Sequence, residues 1–487
     1  MKLKSSSLPE NTVAVALHNS DSSSSDVLFD FTSSMFYSQG SEPYGFDDVV
    51  MSVGSGETER NLTWYTRSAD AGEIQVAKAE DMNGDEFPDT YSIFNATTTR
   101  AANAPGEYTN KATISGLLEN TEYVYRLKCG SRYSQIYSFK TESFESFDVV
   151  VFGDPQIRSW TDTLATPDYV YWNDTIEKIS KNFSADLYVS AGDQVNVHDE
   201  ERDYAHLITE HLASTPLAPT YGNHENGSTI FNDHYNLPNH SSSLNANYWF
   251  TYNNVLFINI NNFVGTIDKH LAFVEEAVTL NPNCEWRIFT MHYSPFSGGS
   301  HSNNSSVKSY RDNFVPYLND LGIDIVIGGH DHVYARSYLM DGNTVAADQS
   351  NVDSDGVLYI CAGSAGGKFY DPITNAEGSE AIAFSHDDQS RTVVHLEINK
   401  NSISLVTYLV DDMSVIDTYT LSHSDQGRLS DAVAKAESIL SDAEKTVSES
   451  MLTSIKSAIA DASAALENIN SYSPEEIDAL ITLLGTE

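Results

Sequence analysis

Positive charge is scarce in this chain. Its 487 residues carry 27 Lys and Arg against 69 Asp and Glu, which gives a formal net charge of −42. Such an excess of negative charge argues against nucleic acid or an anionic membrane surface as a general partner. An anionic substrate would have to be attracted locally, by bound cations and histidines.

Cysteine and long apolar runs are scarce as well. The three cysteines, Cys129, Cys284 and Cys361, are far apart and odd in number, which argues against a disulfide framework. Cys129 and Cys361 lie in strand-like runs, where a cysteine is more often a small buried hydrophobe than a reactive thiol. No apolar stretch is long enough to span a bilayer, and residues 1–4 lead into serines instead of the apolar core of a signal peptide. We therefore expect no transmembrane segment, and expect any export signal to lie outside this sequence.

The chain does contain a series of polar islands, each of which follows a run with the composition of a strand. Four apolar, β-branched or aromatic runs predict buried strands at 147–152, 187–191, 287–291 and 323–327, with helix-like segments at 169–183, 200–212, 268–280 and 307–321. The islands are Gly153-Asp154-Pro155-Gln156, Gly192-Asp193-Gln194, Gly222-Asn223-His224-Glu225, His292 and Gly329-His330-Asp331-His332. Because α/β sheets bind ligands at the carboxyl ends of their strands, we expect all five islands along one rim.

The side chains in these islands are typical of a metal site. Carboxylate, amide oxygen and imidazole donors occur without a thiolate, a set that suits Zn, Mn, Fe or Mg. The six candidate ligands are Asp154, Asp193, Asn223, His292, His330 and His332. Six ligands are too many for one tetrahedral ion, so the pattern favours two ions that share a carboxylate. Two such ions can hold a bridging hydroxide and clamp the attacking and leaving oxygens of a displacement at phosphorus.

In this order the islands resemble the motifs of the calcineurin-like metallophosphoesterases: GD, GDxx, GNH(D/E), a single metal-binding His and GHxH. The resemblance is greatest to the purple acid phosphatases and their bacterial relatives, which carry a fibronectin-like domain in front. It covers residues 147–338 and the domain ahead of them. It implies an α/β fold with a four-layer α/β/β/α sandwich that hydrolyses a small phosphomonoester through a metal-bound hydroxide. Two divalent or trivalent ions, Fe, Zn, Mn or Mg, are the implied cofactors.

Carried over by position, the resemblance implies a role for each ligand. Asp193 would bridge the two ions and take a direct part in catalysis. Asp154 and His332 would complete the first site. The second site would consist of Asn223, His292 and His330.

The resemblance also assigns two histidines to the substrate. His224 would not bind metal but would meet the leaving oxygen, where general-acid catalysis is chemically reasonable. Glu225 or another carboxylate would orient it. His301, nine residues after His292, would contact the phosphate. Tyr334 and Arg336 extend the GHxH match and are expected to support the site from behind its ligands.

The chain departs from the purple enzymes at two positions. Those enzymes place a metal-bound tyrosine three residues after the bridging Asp, where this chain has Asn196. Position 156, His in the wider superfamily and Gly in the purple enzymes, is Gln156. Either amide could give an oxygen to the first metal, so Gln156 or Asn196 is a further candidate ligand. Without a phenolate ligand, a divalent ion would be as acceptable at that site as ferric ion, unless Tyr188, Tyr204 or Tyr221 supplies a phenolate from a neighbouring segment.

Each motif alone has a simpler explanation. A single Gly-Asp or Gly-Asn-His is usually a turn with a capping residue, and His301 lies in a Ser/Gly/Asn-rich loop where exposed histidines are common. Their occurrence in order, each after a predicted strand, favours the two-metal site. Seven histidines that lack a motif are expected to be solvated or part of the core: His198, His206, His211, His234, His240, His386 and His395.

The rest of the chain divides by composition and periodicity. Residues 1–43 are a Ser/Asp-rich extension, and residues 44–143 show the short alternating strands of a β-sandwich, at 61–66, 123–127 and 136–140. The run 117–123 resembles the corner of fibronectin type III domains, in which a tyrosine hydroxyl bonds back to the chain. Residues 144–424 form the catalytic domain, which ends in paired strands within 392–421. Residues 425–487 predict a helical module by their three-four apolar spacing, with a capped helix start at Ser473.

The sequence therefore predicts a metal-dependent phosphomonoesterase that is secreted or held at the cell surface. Similar Ala/Ser/Glu-rich helical tails occur on bacterial surface proteins, which favours association with a surface through the C-terminal module. One alternative keeps the site but gives it a phosphodiester or a nucleotide as substrate. Another is a surface binding protein whose phosphoesterase domain is vestigial, against which the complete set of six ligands argues. The sandwich would either shape access to the site or act as a passive spacer.

Overall fold

The computed structural model describes residues 45–158, 168–353, 356–373, 375–386, 388–443 and 449–485. The predicted extension, residues 1–43, lies outside the described residues. The strands of the first region are β1 (Asp47–Val53), β2 (Glu59–Thr66), β3 (Gly72–Lys78), β4 (Ser92–Asn95), β5 (Thr97–Arg100), β6 (Tyr108–Ser115), β7 (Thr121–Cys129) and β8 (Arg132–Thr141).

The central region contains most of the remaining strands and the first five α-helices. The strands are β9 (Ser146–Phe152), β10 (Leu187–Ser190), β11 (Leu217–Pro219), β12 (Tyr248–Tyr252), β13 (Val255–Ile260), β14 (Trp286–Met291), β15 (Ile325–Gly328), β16 (Tyr334–Asp341), β17 (Thr344–Val345), β18 (Val357–Ala362), β19 (Ile382–His386), β20 (Thr392–Asn399), β21 (Ser402–Leu409) and β22 (Val415–Ser422). The helices are α1 (Asp168–Asn182), α2 (Glu201–Leu207), α3 (Ile230–His234), α4 (Ile267–Leu280) and α5 (Ser305–Asn313). Three helices follow: α6 (Asp425–Ala443), α7 (Glu449–Glu467) and α8 (Pro474–Leu484).

Most strands belong to two large sheets, which makes the fold a mixed α/β one. One sheet has the order β22-β21-β20-β9-β10-β11-β1-β2-β6-β5, and the other has β12-β13-β14-β15-β18-β16-β17 with β19 on β16. In each sheet the central strands, β9-β10-β11 and β13-β14-β15-β18, run parallel. Their carboxyl ends therefore meet at one edge of each sheet, where the polar islands follow.

The near-continuous apolar runs form strands that are buried on both faces. In β9, Val149 and Val151 pack into the core between the two large sheets, whereas Val150 and Phe152 pack against α1 on the other face. In β15, Ile325 and Ile327 face the same inter-sheet core, and Val326 packs towards α4 and α5. Alternate side chains of a strand point to opposite faces, so such runs need apolar partners on both sides.

Two of the predicted helices are shorter in the structure, and a 3₁₀ turn follows each of them. The segment predicted at 200–212 is α2 followed by a 3₁₀ turn at Glu210–Ala213; α2 ends at Leu207, whose carbonyl accepts the indole N–H of Trp172 at 2.8 Å. The segment predicted at 307–321 ends as α5 before the 3₁₀ turn at Val315–Tyr317, where Pro316 cannot donate to the preceding turn. The helices at 169–183 and 268–280 form within one residue of the predicted bounds.

Two local motifs read from the sequence are present. The backbone N–H of Leu118 donates to the hydroxyl of Tyr123 at 2.9 Å, which is the predicted corner bond. Ser473 caps α8 in a capping box with Glu476, with Pro474 at the first helical position. No helix within the described ranges has both the length and the apolar character needed to cross a membrane.

The first region and the central region share a sheet. Strand β1 pairs in parallel with β11, with Ser52 opposite Leu217, so β1, β2, β6 and β5 extend the ten-stranded sheet. A third sheet, with the four strands β4-β3-β7-β8, packs on this extension through a core around Trp64, Tyr125 and Leu127. The hydroxyl of Tyr125 donates to the carbonyl of Ala213 at 2.6 Å, which adds a bond across the two regions.

A buried carboxyl at the start of β10 generates a prediction about stability. Asp186 accepts the backbone N–H of Asp148 at 2.8 Å, and burial together with the nearby Glu142 and Asp148 raises its pKa from about 3.8 to about 7. A carboxyl whose pKa is raised on folding stabilises the protein below its unfolded pKa, and this contribution is lost as the pH rises through the folded pKa.

Asp186→Asn should therefore gain stability relative to wild type between pH 5 and pH 8, by on the order of 2 kcal/mol in the free energy of unfolding. Denaturant titrations at the two pH values measure this. Asp85→Asn, at an exposed position, is the control and should follow wild type. Parallel pH dependence in wild type and Asp186→Asn would show that the carboxyl ionises normally.

Candidate metal centre

The five islands come together at the carboxyl ends of the central strands. β9 ends at Phe152, β10 at Ser190, β11 at Pro219, β14 at Met291 and β15 at Gly328, and the islands follow within a few residues. The backbone N–H of His330 donates to both carboxylate oxygens of Asp154 at 3.1 Å, and that of His224 donates to Oδ1 of Asp193 at 2.9 Å. Islands from the two sheets are thus in direct contact.

One group of candidate ligands surrounds Asp193. Nε2 of His292 lies 3.3 Å from Oδ2 of Asp193 and 3.1 Å from Oδ1 of Asn223. Asp193, His292 and His330 each offer a ligand atom within 4.8 Å of the others. Two ligands held about 2.1 Å from one ion lie roughly 3.0 to 3.4 Å apart, so this group fits a single cation.

A second group adjoins Asp154. Nε2 of His332 lies 3.4 Å from Oδ1 of Asp154, again the spacing of two ligands on one ion. The side chain of Gln156 is fully buried, and its Nε2 donates to Oδ1 of Asn196 at 3.1 Å while its Oε1 has no hydrogen-bond partner. Since a buried carbonyl oxygen without a partner is costly, the free oxygen of Gln156 fits a cation ligand. The side-chain oxygen of Asn196 is already taken by this bond.

Backbone carbonyls orient the imidazoles of this centre. Nδ1 of His292 donates to the carbonyl of Ala191 at 2.9 Å, and Nδ1 of His332 donates to the carbonyl of Lys368 at 2.7 Å. Each bond uses Nδ1 as the donor and turns Nε2 towards a carboxylate, so that Nε2 is the nitrogen that would bind an ion. This is the arrangement that a metal ligand requires.

The glycines of the islands are required by close approach. A Cβ on Gly192, whose φ is +106°, would lie 2.5 Å from Nδ1 of His292, and one on Gly222 would lie 2.1 Å from Oδ1 of Asp193. Four site residues also hold left-handed backbone at positive φ: Asp154 at 42°, Gln156 at 40°, Asp193 at 49° and His330 at 71°. Such conformations cost energy in non-glycine residues and cluster where a functional geometry is imposed.

The electrostatics of the centre favour cations. Burial opposes protonation of His292, but Asp193 and then Asp154 outweigh it and raise the pKa of His292 to about 10. The same partner, His292, holds the pKa of Asp193 below its usual range despite burial. Burial and the neighbouring His292 lower the pKa of His330. The negative potential that draws a proton onto His292 is one that bound metal ions would neutralise.

His224 and His301 lie at the rim of the centre and not within the ligand groups. Their side chains are 27% and 26% exposed, against 0% for His292 and 1% for His332. Nδ1 of His224 donates to the backbone carbonyl of Asn196 at 2.8 Å, while its Nε2 is 3.9 Å from Asp193. The ring of His301 lies 4.2 Å from that of His330, centroid to centroid.

Glu225 was the candidate to orient His224, but its carboxylate bonds elsewhere. Its carboxylate accepts backbone N–H groups from Gly222 at 2.7 Å, Asp193 at 3.1 Å and Val195 at 3.3 Å. Burial and the nearby Asp193 raise its pKa to about 8. Glu225 therefore ties the second and third islands together, and a main-chain carbonyl takes the orienting role.

Tyr334 and Arg336, which were expected to support the centre, use their side chains to bond to a residue of the other sheet. The hydroxyl of Tyr334 donates to Oδ2 of Asp417 at 2.8 Å, and Arg336 binds both oxygens of Asp417 at 2.7 and 3.0 Å. Residues two apart in β16 share a face, and this face meets β22 of the other sheet. The pair therefore joins the two sheets.

Two site residues were missed by sequence reasoning. Oδ1 of Asp331 accepts both the backbone N–H and Nδ1 of His301 at 2.9 Å, and its other oxygen accepts the hydroxyl of Ser297. Its position between the two histidines of the fifth island was the available signal. The ring of Tyr370 lies 4.6 Å from His332 and 5.1 Å from His301, in a segment without a recognisable motif.

The tyrosines considered as alternative metal ligands have other contacts. Tyr204 is fully buried against His234, and the hydroxyl of Tyr221 donates to the carbonyl of Glu225 at 2.7 Å. Tyr188 packs in the core with Phe152. Tyr370, by contrast, contacts His332 in the group that adjoins Asp154.

Comparison with known proteins agrees with this geometry. Residues 147–334 match the calcineurin-like phosphoesterase family, and residues 46–141 match the purple acid phosphatase N-terminal domain. The purple acid phosphatase PPD1 from seeds of yellow lupin (Lupinus luteus) has a similar structure, with a TM-score of 0.62 at 17% identity over 79% of this chain and 75% of the lupin chain. GAP50, the anchor in the inner membrane complex of Plasmodium, matches with a TM-score of 0.38 at 18% identity over 57% of this chain and 89% of its own. No curated protein sequence matches the chain.

The two family matches cover the islands and the domain ahead of them, and the lupin enzyme shares the mixed α/β fold. The candidate ligands lie inside the first match, at the strand ends. The chain therefore contains a calcineurin-like phosphoesterase domain, preceded by the N-terminal domain of purple acid phosphatases, and is a phosphatase by class.

Proposed function

We propose that this protein is a binuclear phosphomonoesterase that acts on a small phosphoester. The observation that carries the proposal is the presence of two ligand-spaced groups, one of Asp193, His292 and Asn223 and the other of Asp154 and His332. Asp193 would be shared, with Asp154, His332 and Gln156 at the first ion and Asn223, His292 and His330 at the second. When bound, Fe, Zn, Mn or Mg ions would supply Lewis-acid activation of water and of the phosphoryl group.

The residues at the rim supply what the ions cannot. His224 donates from Nδ1 to the carbonyl of Asn196, so the doubly protonated ring would hand its Nε2 proton to the leaving oxygen. His301 is held through Nδ1 by Asp331, and its Nε2 is available to bind a phosphoryl oxygen. The two histidines thus divide proton transfer from phosphate binding.

The finer architecture belongs to the same proposal. Apolar clusters lie between the two large sheets and on both outer faces against helices, which supports a four-layer α/β/β/α catalytic domain. The corner bond of Tyr123 supports a fibronectin type III-like sandwich over 44–143. Helices α6, α7 and α8 share a core of their own, which supports a helical module over 425–487. Secretion and surface association rest on the composition of these helices alone.

The first test combines metal content with substrate preference. The purified protein should hold about two ions per chain and hydrolyse an aryl phosphate monoester faster than the matched diester. Asp193→Asn should abolish turnover and lower the metal content, because both ions lose their shared ligand. Elemental analysis and initial rates measure these outcomes.

Asp268→Asn, an exposed carboxylate on α4, is the matched control and should keep both properties. Full metal content in an active Asp193→Asn variant would rule out the shared ligand. Faster hydrolysis of the diester would replace the phosphomonoesterase with the phosphodiesterase alternative. A metal-replete protein without turnover on a broad phosphoester panel would favour a binding protein.

A second prediction separates the two rim histidines. His224→Asn should keep the metal content but slow hydrolysis of an alkyl phosphate on the order of 10²- to 10⁴-fold, because a poor leaving group needs the proton. The loss should shrink for nitrophenyl phosphate, whose leaving group needs no acid. His301→Asn should slow both esters alike, since it binds the phosphate that they share. Equal losses for both esters in His224→Asn would contradict the general-acid role.

A third prediction concerns colour. The purple of the resembled enzymes arises from charge transfer between a tyrosine phenolate and ferric ion, and the pair Gln156 and Asn196 supplies no phenolate. The iron-loaded protein should therefore be colourless, and Gln156→Gly combined with Asn196→Tyr should gain a visible absorption band. A band in the iron-loaded wild type that disappears in Tyr370→Phe would show that Tyr370 provides the phenolate instead.

A further inference from the structure

Three ligand-type side chains meet at a second place, between the N-terminal domain and the helices that follow the second and third islands. Asp48 on β1, Glu201 on α2 and His234 on α3 each offer one ligand atom, all within 4.8 Å of one another. The phosphoesterase reaction proposed above uses none of them. The sequence motifs assign no role to them either.

The imidazole of His234 is fixed and incompletely bonded. It is stacked between Tyr65 and Tyr204, with ring centroids 4.8 and 4.3 Å away and the planes inclined by 7° and 14°. Its Nε2 lies 2.9 Å from Oε2 of Glu201, and its buried Nδ1 has no hydrogen-bond partner. The nitrogen that faces a carboxylate is Nε2, so Nε2 is the atom that this ring would offer to an ion.

The carboxylates around His234 leave the region negatively charged. Burial raises the pKa of Asp48 to about 6, and Asp47, Glu201 and Glu107 add to this effect while His234 opposes it. Arg67 is engaged elsewhere, at 2.9 Å from Asp47 and 3.5 Å from Glu107. Asp48 and Glu201 together therefore carry charge that a divalent cation would balance.

The donor set selects among cations. One imidazole and two carboxylates are three ligands of the types that zinc takes, and they leave a fourth position for water, whereas Ca²⁺ and Mg²⁺ prefer oxygen alone. The 2.9 Å between His234 and Glu201 is close to the roughly 3 Å between neighbouring ligands on one ion. The hydroxyl of Tyr65 donates to the other oxygen of Glu201 at 3.3 Å, which orients the carboxylate as a ligand requires.

We propose that Asp48, Glu201 and His234 form a third metal site, separate from the two-metal centre, that binds a zinc ion. The ion would join the first strand of the N-terminal domain to α2 and α3 of the catalytic domain. These helices follow the loops that carry Asn196 and Asn223, so the site would brace both loops against the N-terminal domain.

Metal content of the full chain tests the proposal. Protein stripped with a chelator, reloaded with zinc and dialysed should contain about three ions per chain in wild type and about two in Asp48→Asn. Asp47→Asn is the matched control, because it makes the same change one residue away, and should keep about three. His234→Gln should also lose one ion, which provides a second variant if one of them folds poorly.

Thermal unfolding gives an independent readout. In an Asp193→Asn background, zinc should raise the melting temperature, and the further change Asp48→Asn should abolish this rise. A wild-type protein that holds one zinc ion, lost in Asp48→Asn, would support this site even if the two-metal centre failed. Zinc contents that are the same in wild type, Asp48→Asn and His234→Gln would overturn the proposal.

Discussion

Two buried carboxylates at neighbouring strand ends impose the main physical constraint on this protein. Asp154 is 0% and Asp193 2% exposed, and a buried charge costs several kcal/mol unless it is paired or coordinated. Backbone N–H groups of His330 and His224 and the imidazole of His292 meet part of this cost. The glycines and the left-handed backbone of the islands follow from it, because they let donors from both sheets come within bonding distance of these two carboxylates.

The sequence pattern predicted the position of most residues in the metal centre, because each position depends on the strand directly before it. The apolar run of β9 is buried on both faces, so it had to be a central strand, and Asp154 directly after it had to lie at the sheet edge. The same reasoning placed Asp193 and His330. The side chains of Tyr334 and Arg336 could not be placed in this way. Their proximity to His332 in the sequence suggested a position beside the site, whereas their register in β16 directs both side chains towards Asp417.

Partners far apart in the chain escaped sequence reasoning. Gln156 and Asn196 were separate departures from the family pattern, yet one amide donates to the other, which decides which oxygen stays free for a cation. Glu225 was expected beside His224 and instead gathers N–H groups from two loops. Neither arrangement has a signature in residue type or spacing, since each depends on which loops the two sheets bring together.

The parallel pairing of β1 with β11 changes what the N-terminal domain is to this enzyme. A domain that only packs against its neighbour can be removed without breaking a sheet. Here, in contrast, the ten-stranded sheet continues from the catalytic domain into the sandwich, where Ser52 pairs with Leu217. Without β1, the backbone groups of β11 would form an open edge, which invites pairing with other chains. A truncation between β8 and β9 would therefore cut only a loop of the chain, yet it would remove β1 and leave β11 without a partner strand on one side.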